Sequence, residues 1–255
     1  MITKNYIRML MVLIILVMTS TFSFAAENAI QIYDWEDLYN VRNNLAADYL
    51  LMNNLNKDSA GYSEYVSNTS DQGGWAPIGE FVPAEITGLM LGEWDANLQE
   101  STPFTGTFNG QGHTISDLFI NRPDAFGQGL FGYVRGAQVS DLSLMNADIS
   151  GHRHIGILAG YTWQSSTTDI YTSGNVYANH NAGGLAGTVR EDSYVQNCSS
   201  SAVVVGDVIV RSSLRTGGLI GAVHSSTVQN CSTSGTVTGD FFDTGGLAGS
   251  IYGTV

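Results

Sequence analysis

The sequence contains few basic residues, few charged residues of any kind and almost no cysteine. Of its 255 residues, 10 are Lys or Arg and 23 are Asp or Glu, so the formal net charge is -13. A surface of this sign repels nucleic acid and anionic membranes, whose binding proteins carry basic patches. We therefore expect no nucleic acid among the partners of this chain.

Long hydrophobic runs are also missing, except near the N-terminus. The ten-residue apolar run 9–18 follows Lys4 and Arg8 and precedes the small residues of Ser23-Phe24-Ala25. This run is too short for a permanent bilayer span, and the order of the three parts predicts a secretory signal peptide over residues 1–26. The alternative is an uncleaved N-terminal anchor. After cleavage we expect a secreted or cell-surface chain without an integral membrane span.

What the sequence does contain is a repeated Gly-Leu-x-Gly motif in its second half. The five leucines are Leu130, Leu158, Leu185, Leu219 and Leu247, spaced 28, 27, 34 and 28 residues apart. Each unit also holds a short Val/Ile strand, an Asx corner and a third strand. Three short strands in a unit of about 28 residues are typical of a parallel β-helix, because propeller blades need about 40 residues or more. We predict an all-β, right-handed parallel β-helix of about five coils.

The segments before the repeats predict a cap and an irregular region. In residues 27–56, Asp34 is suited to N-cap a helix whose apolar face carries Trp35, Leu38, Val41 and Leu45, and a strand over 49–52 follows. Residues 57–103 are loop-rich, with aromatic and acidic side chains. They could bind a sugar, although burial of Trp75, Ile78 and Phe81 as a satellite core is the favoured interpretation.

The β-helix is predicted to cover residues 104–255. The chain stops partway through a new unit, which predicts either a fragment of a longer array or a last coil that a partner covers.

The two cysteines occupy one repeated apolar position. Leu118, Leu142 and Ile170 precede Cys198 and Cys231 in that series. Neighbouring coils would place the two Cα atoms about 4.8 Å apart, which a disulfide tolerates. Stacked free thiols are the favoured interpretation, and a bond stays open.

The whole repeat array, with the preceding Phe104-Thr105-Gly106-Thr107-Phe108-Asn109-Gly110-Gln111-Gly112-His113-Thr114-Ile115, resembles the GLUG-motif proteins. These are exported bacterial and archaeal β-helix proteins, and the motif also occurs beside the M26 immunoglobulin A-cleaving metallopeptidases. The resemblance implies a surface or secreted scaffold with an adhesive role and no catalytic residues. None of the five histidines opens a His-Glu-x-x-His zinc signature.

Candidate binding residues are aromatic. Tyr161, Trp163 and Tyr171 crowd the second unit, and Trp94 lies in the irregular region. If these rings face outward they could stack on sugars, and if they face inward they fill the core. His152 and His154 could share one strand face and bind a metal, although a surface turn is the favoured interpretation.

Candidate metal ligands are the corner aspartates Asp117, Asp141 and Asp169, which continue as Asn197 and Asn230. Stacked carboxylates could bind calcium, although solvated turn caps are the favoured interpretation. No other cofactor is expected.

Two classes of function follow. The first is a non-catalytic surface or secreted scaffold that binds glycan or a host or extracellular protein. The alternative is a polysaccharide-degrading lyase or hydrolase, which acid pairs such as Glu191-Asp192 and Asp240 with Asp243 would have to serve, or a stalk segment of a larger surface peptidase.

Overall fold

The computed structural model describes residues 28–67, 73–84, 99–206, 215–239 and 243–252. These residues form a parallel β-solenoid of about five stacked coils, so the predicted fold class is confirmed. The predicted signal peptide, residues 1–26, lies outside the described part of the chain. No helix within the described ranges is long and apolar enough to cross a membrane.

Twenty strands and two short α-helices make up the described chain. The helices are α1 (Trp35–Asn40), which a 3₁₀ turn (Val41–Asn43) extends, and α2 (Tyr62–Tyr65). The strands are β1 (Ile30–Ile32), β2 (Asp48–Leu51), β3 (Thr107–Asn109), β4 (Thr114–Ser116), β5 (Phe119–Gln128), β6 (Phe131–Arg135), β7 (Gln138–Gly156), β8 (Ala159–Trp163), β9 (Ser166–Gly183), β10 (Ala186–Arg190), β11 (Tyr194–Gln196), β12 (Ser199–Ser200), β13 (Val203–Gly206), β14 (Thr216–Gly217), β15 (Ile220–His224), β16 (Thr227–Gln229), β17 (Ser232–Thr233), β18 (Val237–Thr238), β19 (Thr244–Gly245) and β20 (Ala248–Tyr252).

The strands stack in five columns, all of which pair in parallel. The first column is β1, β2, β3, the starts of β7 and β9, β11 and β16. The second column begins with β4, and the third and fourth columns begin with the first and second parts of β5. Each of these strands pairs with a successive part of β7, which in turn pairs with β9 and then with the short strands of the last two coils. The fifth column is a separate sheet of β6, β8, β10, β15 and β20. One coil therefore visits each column once.

The corners between columns depend on residues in the left-handed backbone region. Along β7 the inward residues are Val139, Leu142, Leu144, Ala147 and Ile149. Successive inward residues are two positions apart except at two places, where they are three positions apart. Asp141 and Asn146 lie at these two places, with φ of 54° and 53°. One left-handed residue turns the chain and keeps the next side chain facing the interior. Asn and Asp tolerate this conformation best after glycine, which is why they occupy the corners.

The N-terminal segment matches its prediction in part. Asp34 caps α1, since its side chain accepts a hydrogen bond of 2.9 Å from the backbone N–H of Asp37. Trp35 and Leu38 are fully buried in the core. The α-helix ends at Asn40 rather than continuing to Leu45, and β1 precedes it although the sequence carries no strand prediction there.

The irregular segment follows the solenoid more closely than its composition indicates. Leu55 bridges Ile115 in parallel in the second column, and Ile78 bridges Phe131 in the fifth. Trp75 and Ile78 are fully buried in the main core, whereas Phe81 is buried in a separate cluster. The predicted burial is therefore confirmed, but the three residues do not form one satellite core. The segment is thus a distorted partial coil, and beyond it Glu80 and Thr102 form an antiparallel bridge.

The two cysteines are free and stack on each other. Cys198 is buried and Cys231 is half-buried. A hydrogen bond with the Cys231 thiol, together with burial, raises the pKa of Cys198. The same hydrogen bond lowers the pKa of Cys231 to about 7. Stacked free thiols are therefore confirmed.

A candidate binding cavity beside the solenoid

The predicted aromatic residues do not form one exposed site. Tyr161 is fully buried, with ring centroids 4.9 Å from Phe81 and 5.5 Å from Tyr133. This second cluster packs separately from the main core. Tyr161 therefore serves packing, and the outward-facing interpretation is wrong for this residue.

The other three aromatic candidates lie apart from one another. Trp163 is half-buried and stacks on Tyr161 at 6.4 Å. Tyr171 is also half-buried, but it belongs to the second column, where its hydroxyl lies 2.7 Å from Ser201 Oγ. Trp94 lies outside the described residues.

The three candidate aspartates do not share one corner either. Asp141 and Asp169 occupy the same corner in successive coils, whereas Asp117 stacks above Asn146 at the next corner, because Ile115 pairs with Leu144 rather than with Val139. The turn Asn109-Gly110-Gln111-Gly112 fills the first corner of that coil, so Leu118 is likewise displaced from the Leu142 position. No group of three or more Cys, His, Asp or Glu that could hold a metal occurs in the part of the chain that the structure describes. Calcium binding remains a prediction, and the three aspartates do not form one three-carboxylate site within the described residues.

The corner below Asp169 is a side-chain ladder. Asn197 donates its amide N–H to Asp169 Oδ1 at 3.0 Å, and Asn230 donates to Asn197 Oδ1 at 3.4 Å. The favoured turn-cap interpretation agrees with this geometry.

His152 and His154 point to different surroundings. The His152 ring lies 5.1 Å from that of Phe126, whereas His154 is buried against Tyr161 with Nδ1 2.8 Å from Thr188 Oγ1. His154 has φ of 58°, and this left-handed residue breaks the alternation that would have aligned the two rings. They do not form a metal site together.

One residue of each predicted acid pair lies beside an arginine. Glu191 lies 3.8 Å from Arg190, and Asp243 lies 3.8 Å from Arg215. Asp240 lies outside the described residues.

A concave site lies where the irregular segment meets β5. It is a cavity of about 470 Å³. The polar and aromatic residues that line it include Arg42, Glu80, Phe81, Arg122, Phe126 and Gln128. Glu80 and Phe81 belong to the aromatic and acidic segment 57–103, for which sugar binding was the less favoured interpretation, whereas the other four residues carry no site prediction from the sequence.

A bulge in β5 shapes one wall of this cavity. Arg122 pairs with Gly151 and Phe126 with Arg153, so β5 spends four residue steps where β7 spends two. Pro123, which cannot donate to a ladder, lies in this bulge. Gly127 follows with φ of 60°, and a Cβ there would lie 2.5 Å from the Cβ of Phe81. The bulge and the glycine together let Phe81 approach β5 while Arg122 is directed toward the irregular segment.

Arg42 is held on the opposite wall between two aromatic rings. Its guanidinium carbon lies 4.0 Å from the Tyr39 ring centroid and 4.4 Å from that of Trp75. Its N–H groups donate to the carbonyl oxygens of Tyr39 and Ala76. Burial lowers the pKa of Arg42 to about 10, with the nearby charge of Arg122 acting in the same direction and Tyr39 opposing it. The side chain is still cationic at neutral pH.

Arg122 is less fully bonded. Its Nη2 donates to the carbonyl oxygen of Gly74 at 3.3 Å, and its Nε is buried without a hydrogen-bond partner among the described residues. Burial lowers the pKa of this guanidinium as well. Within the described residues, Arg190 and Arg215 form ion pairs, whereas neither Arg42 nor Arg122 has a carboxylate within 4.0 Å.

Two acceptors complete the cavity. Gln128 is 5% exposed, and its amide N–H groups donate to the carbonyl oxygens of Phe126 and Gly127. Its Oε1 is buried and accepts no hydrogen bond within the described chain. Glu80 lines the same space and is exposed. The cavity therefore offers cationic donors, a carboxylate, an unused amide oxygen and aromatic walls.

The fold and the cavity define a parallel β-solenoid with a lateral cavity, and comparison with known proteins adds a relative. The chain is 38% identical over 99 residues to halomucin of Haloquadratum walsbyi. The aligned part covers 38% of this chain and 1% of halomucin. No protein-family model matches the chain, and no solved structure matches it.

Proposed function

We propose that this chain is a non-catalytic scaffold of an exported or cell-surface protein, with GLUG-type repeats, which binds glycan through the cavity beside its solenoid. The observation that carries the proposal is this cavity of about 470 Å³, built on a rigid stack from residues that the repeat itself does not need. Aromatic walls with a few convergent polar groups are typical of ligand sites.

The similarity to a segment of halomucin, whose name describes a mucin, supports an exported or cell-surface location. That segment is 1% of a far longer protein, which agrees with a role as one structural segment among many. The low content of basic residues disfavours nucleic acid and anionic membrane surfaces as partners, which is compatible with a glycan ligand.

The chemistry of the cavity favours binding over cleavage. Glycoside hydrolysis needs two carboxyl groups, about 5–10 Å apart depending on the mechanism, on either side of the scissile bond. Glu80 is the acidic residue among those that line the cavity in the described chain. A single exposed carboxylate supports recognition of hydroxyl groups rather than paired acid–base work.

The test is to incubate the purified protein with a panel of immobilised and soluble polysaccharides, once with calcium and once with a chelator. We expect retention on at least one polysaccharide and no release of reducing ends or unsaturated products over time. A Glu80→Gln variant serves as the control for hidden catalysis. Product that accumulates with the wild-type protein and disappears with this variant would show that the chain is an enzyme.

A further inference from the structure

We propose that the cavity recognises an acidic sugar, whose carboxylate or sulfate group binds between Arg42 and Arg122. This inference rests on the proposed function and names the ligand class for the same cavity. The two arginines, the unused oxygen of Gln128 and the aromatic walls are the observations that carry it.

The placement of positive charge is the first argument. The chain has 10 basic residues against 23 acidic ones, yet two arginines line one cavity. Each lacks a carboxylate partner within the described residues, although acids are abundant. Two partly desolvated cations that repel each other are costly, and an anion bound between them offsets both the repulsion and the lost hydration.

The unused donors are the second argument. A guanidinium has five N–H donors in a planar fork that matches the two oxygens of a carboxylate or the oxygens of a sulfate. Arg122 uses Nη2 for Gly74, and its Nε has no partner in the described chain. A purely structural role in holding residues 73–77 needs the bonds to Gly74 and Ala76 alone. The remaining donors fit an oxyanion.

The acceptors indicate a sugar rather than a simple ion. Gln128 Oε1 and the Glu80 carboxylate accept hydrogen bonds and repel a bare anion. A sugar ring carries hydroxyl groups that can donate to both while its charged group faces the arginines. Phe81 and Phe126 provide apolar surface for the C–H face of the ring.

The proposal is tested by calorimetric titration of the full exported chain with three disaccharide probes of the same linkage. One contains glucuronate, one contains glucose in its place, and one contains glucose 6-sulfate. We expect the two acidic probes to bind at least tenfold more tightly than the neutral probe, and added salt to weaken the acidic probes alone. The preference between the acidic probes identifies carboxylate or sulfate as the recognised group.

Arg122→Gln is the diagnostic variant, and Arg135→Gln is its matched control, because Arg135 is a half-buried arginine on β6 that does not line the cavity. We expect Arg122→Gln to lower the affinity for the acidic probes at least tenfold and to leave the affinity for the neutral probe unchanged. Arg135→Gln should change neither affinity. Thr102→Glu, at an exposed position of the lining, adds a negative charge without altering the core. It is expected to weaken the acidic probes even if Arg122→Gln does not fold.

Three results would overturn the inference. Equal affinity for acidic and neutral probes would leave glycan binding intact but remove the anionic specificity. Acidic binding that survives both Arg122→Gln and Thr102→Glu would place the ligand elsewhere. Failure of all three probes, together with failure of the polysaccharide panel, would reject the proposed glycan binding itself.

Discussion

At the scale of single residues, the second glycine of the Gly-Leu-x-Gly motif is fixed by backbone contact. A Cβ on Gly187 would lie 2.3 Å from the backbone N of Ile155 and 2.4 Å from the carbonyl carbon of His154. Neither atom can move without shifting β7. The glycine is required because the fourth and fifth columns approach each other closely at this point. By contrast, a Cβ on Gly246, in the last described coil, would meet no atom of the described residues within 4 Å.

We therefore predict that Gly187→Ala destabilises the protein by at least about 2 kcal/mol, because the added methyl overpacks the backbone. Gly246→Ala is the matched control and is expected to change the stability by less than about 0.5 kcal/mol. The measurement is the free energy of unfolding from urea denaturation. Equal losses for the two variants would show that the repeat glycines are needed for some reason other than close approach.

The paired thiols give a second prediction at this scale. Cys231 is half-buried with its pKa lowered to about 7, whereas the pKa of the buried Cys198 is raised. The thiolate is the reactive form, so an alkylating reagent should modify Cys231 first, at a rate that rises as the pH passes about 7. Cys198 should react only after unfolding. Mass spectrometry of the labelled peptides measures both rates, and an absence of any free thiol would mean that the pair is oxidised.

At the scale of structural elements, the residue at the Asx corner both turns the chain and bonds to the neighbouring coil. Asp169, Asn197 and Asn230 all have φ between 54° and 57°, so each turns the chain. Their side chains also bond from coil to coil, with amides donating to the oxygen in the preceding coil. The order of one acid followed by amides therefore matters as well as the residue type.

We predict that Asn197→Asp destabilises the protein by about 0.5–1 kcal/mol at neutral pH, since it sets a carboxylate against that of Asp169 and keeps the left-handed tolerance. Adding Asp169→Asn to the variant swaps the pair and should restore stability at neutral pH. A double-mutant cycle of unfolding free energies measures this coupling, and no rescue by the swap would contradict the ladder.

These elements also show how far the sequence could be read. The repeated leucines and the Asx corners predicted the coils, because both recur at the coil period and each has a local physical cause. Asp117 was assigned to the wrong corner because a four-residue turn at Asn109-Gly110-Gln111-Gly112 replaces a single corner residue there, and spacing alone cannot show which corner was lengthened. The α1 cap was predictable from Asp34, whereas β1 carries too short a pattern.

The cavity was not predictable for a related reason. Arg42 and Arg122 are 80 positions apart in the sequence, and their proximity depends on the β5 bulge and on the path of residues 73–84. Neither feature has a periodic signature. The nearest sequence signal is Pro123 within a strand-like stretch, since proline marks a bulge or an edge.

At the scale of the whole molecule, protection should be uneven along the stack. The strands β7 and β9 pair on both sides over most of their length, and their inward residues are buried. In the last described coil, Leu247, Ile251 and Tyr252 are 39%, 54% and 41% exposed. Each coil contacts its neighbours alone, so stability depends on position in the array.

We predict that amide hydrogen exchange is slowest in β7, β8, β9 and β10 and fastest in β16 to β20, since the latter strands have fewer buried contacts. Exchange monitored by mass spectrometry on peptides from each coil measures this gradient. Uniform protection from β7 to β20 would mean that the last coils are covered in solution, for example by self-association.

The parallel register determines how much length the stack gains per residue. Ser166 pairs with Tyr194, so one coil takes 28 residues and lengthens the stack by about 4.8 Å. The same 28 residues would reach about 90 Å as an extended strand or about 42 Å as an α-helix. A solenoid is therefore a poor way to span distance. Each coil instead adds outward-facing positions in five columns on a frame whose interior stays unchanged. Insertions between the columns can therefore diversify without disturbing the coils above and below.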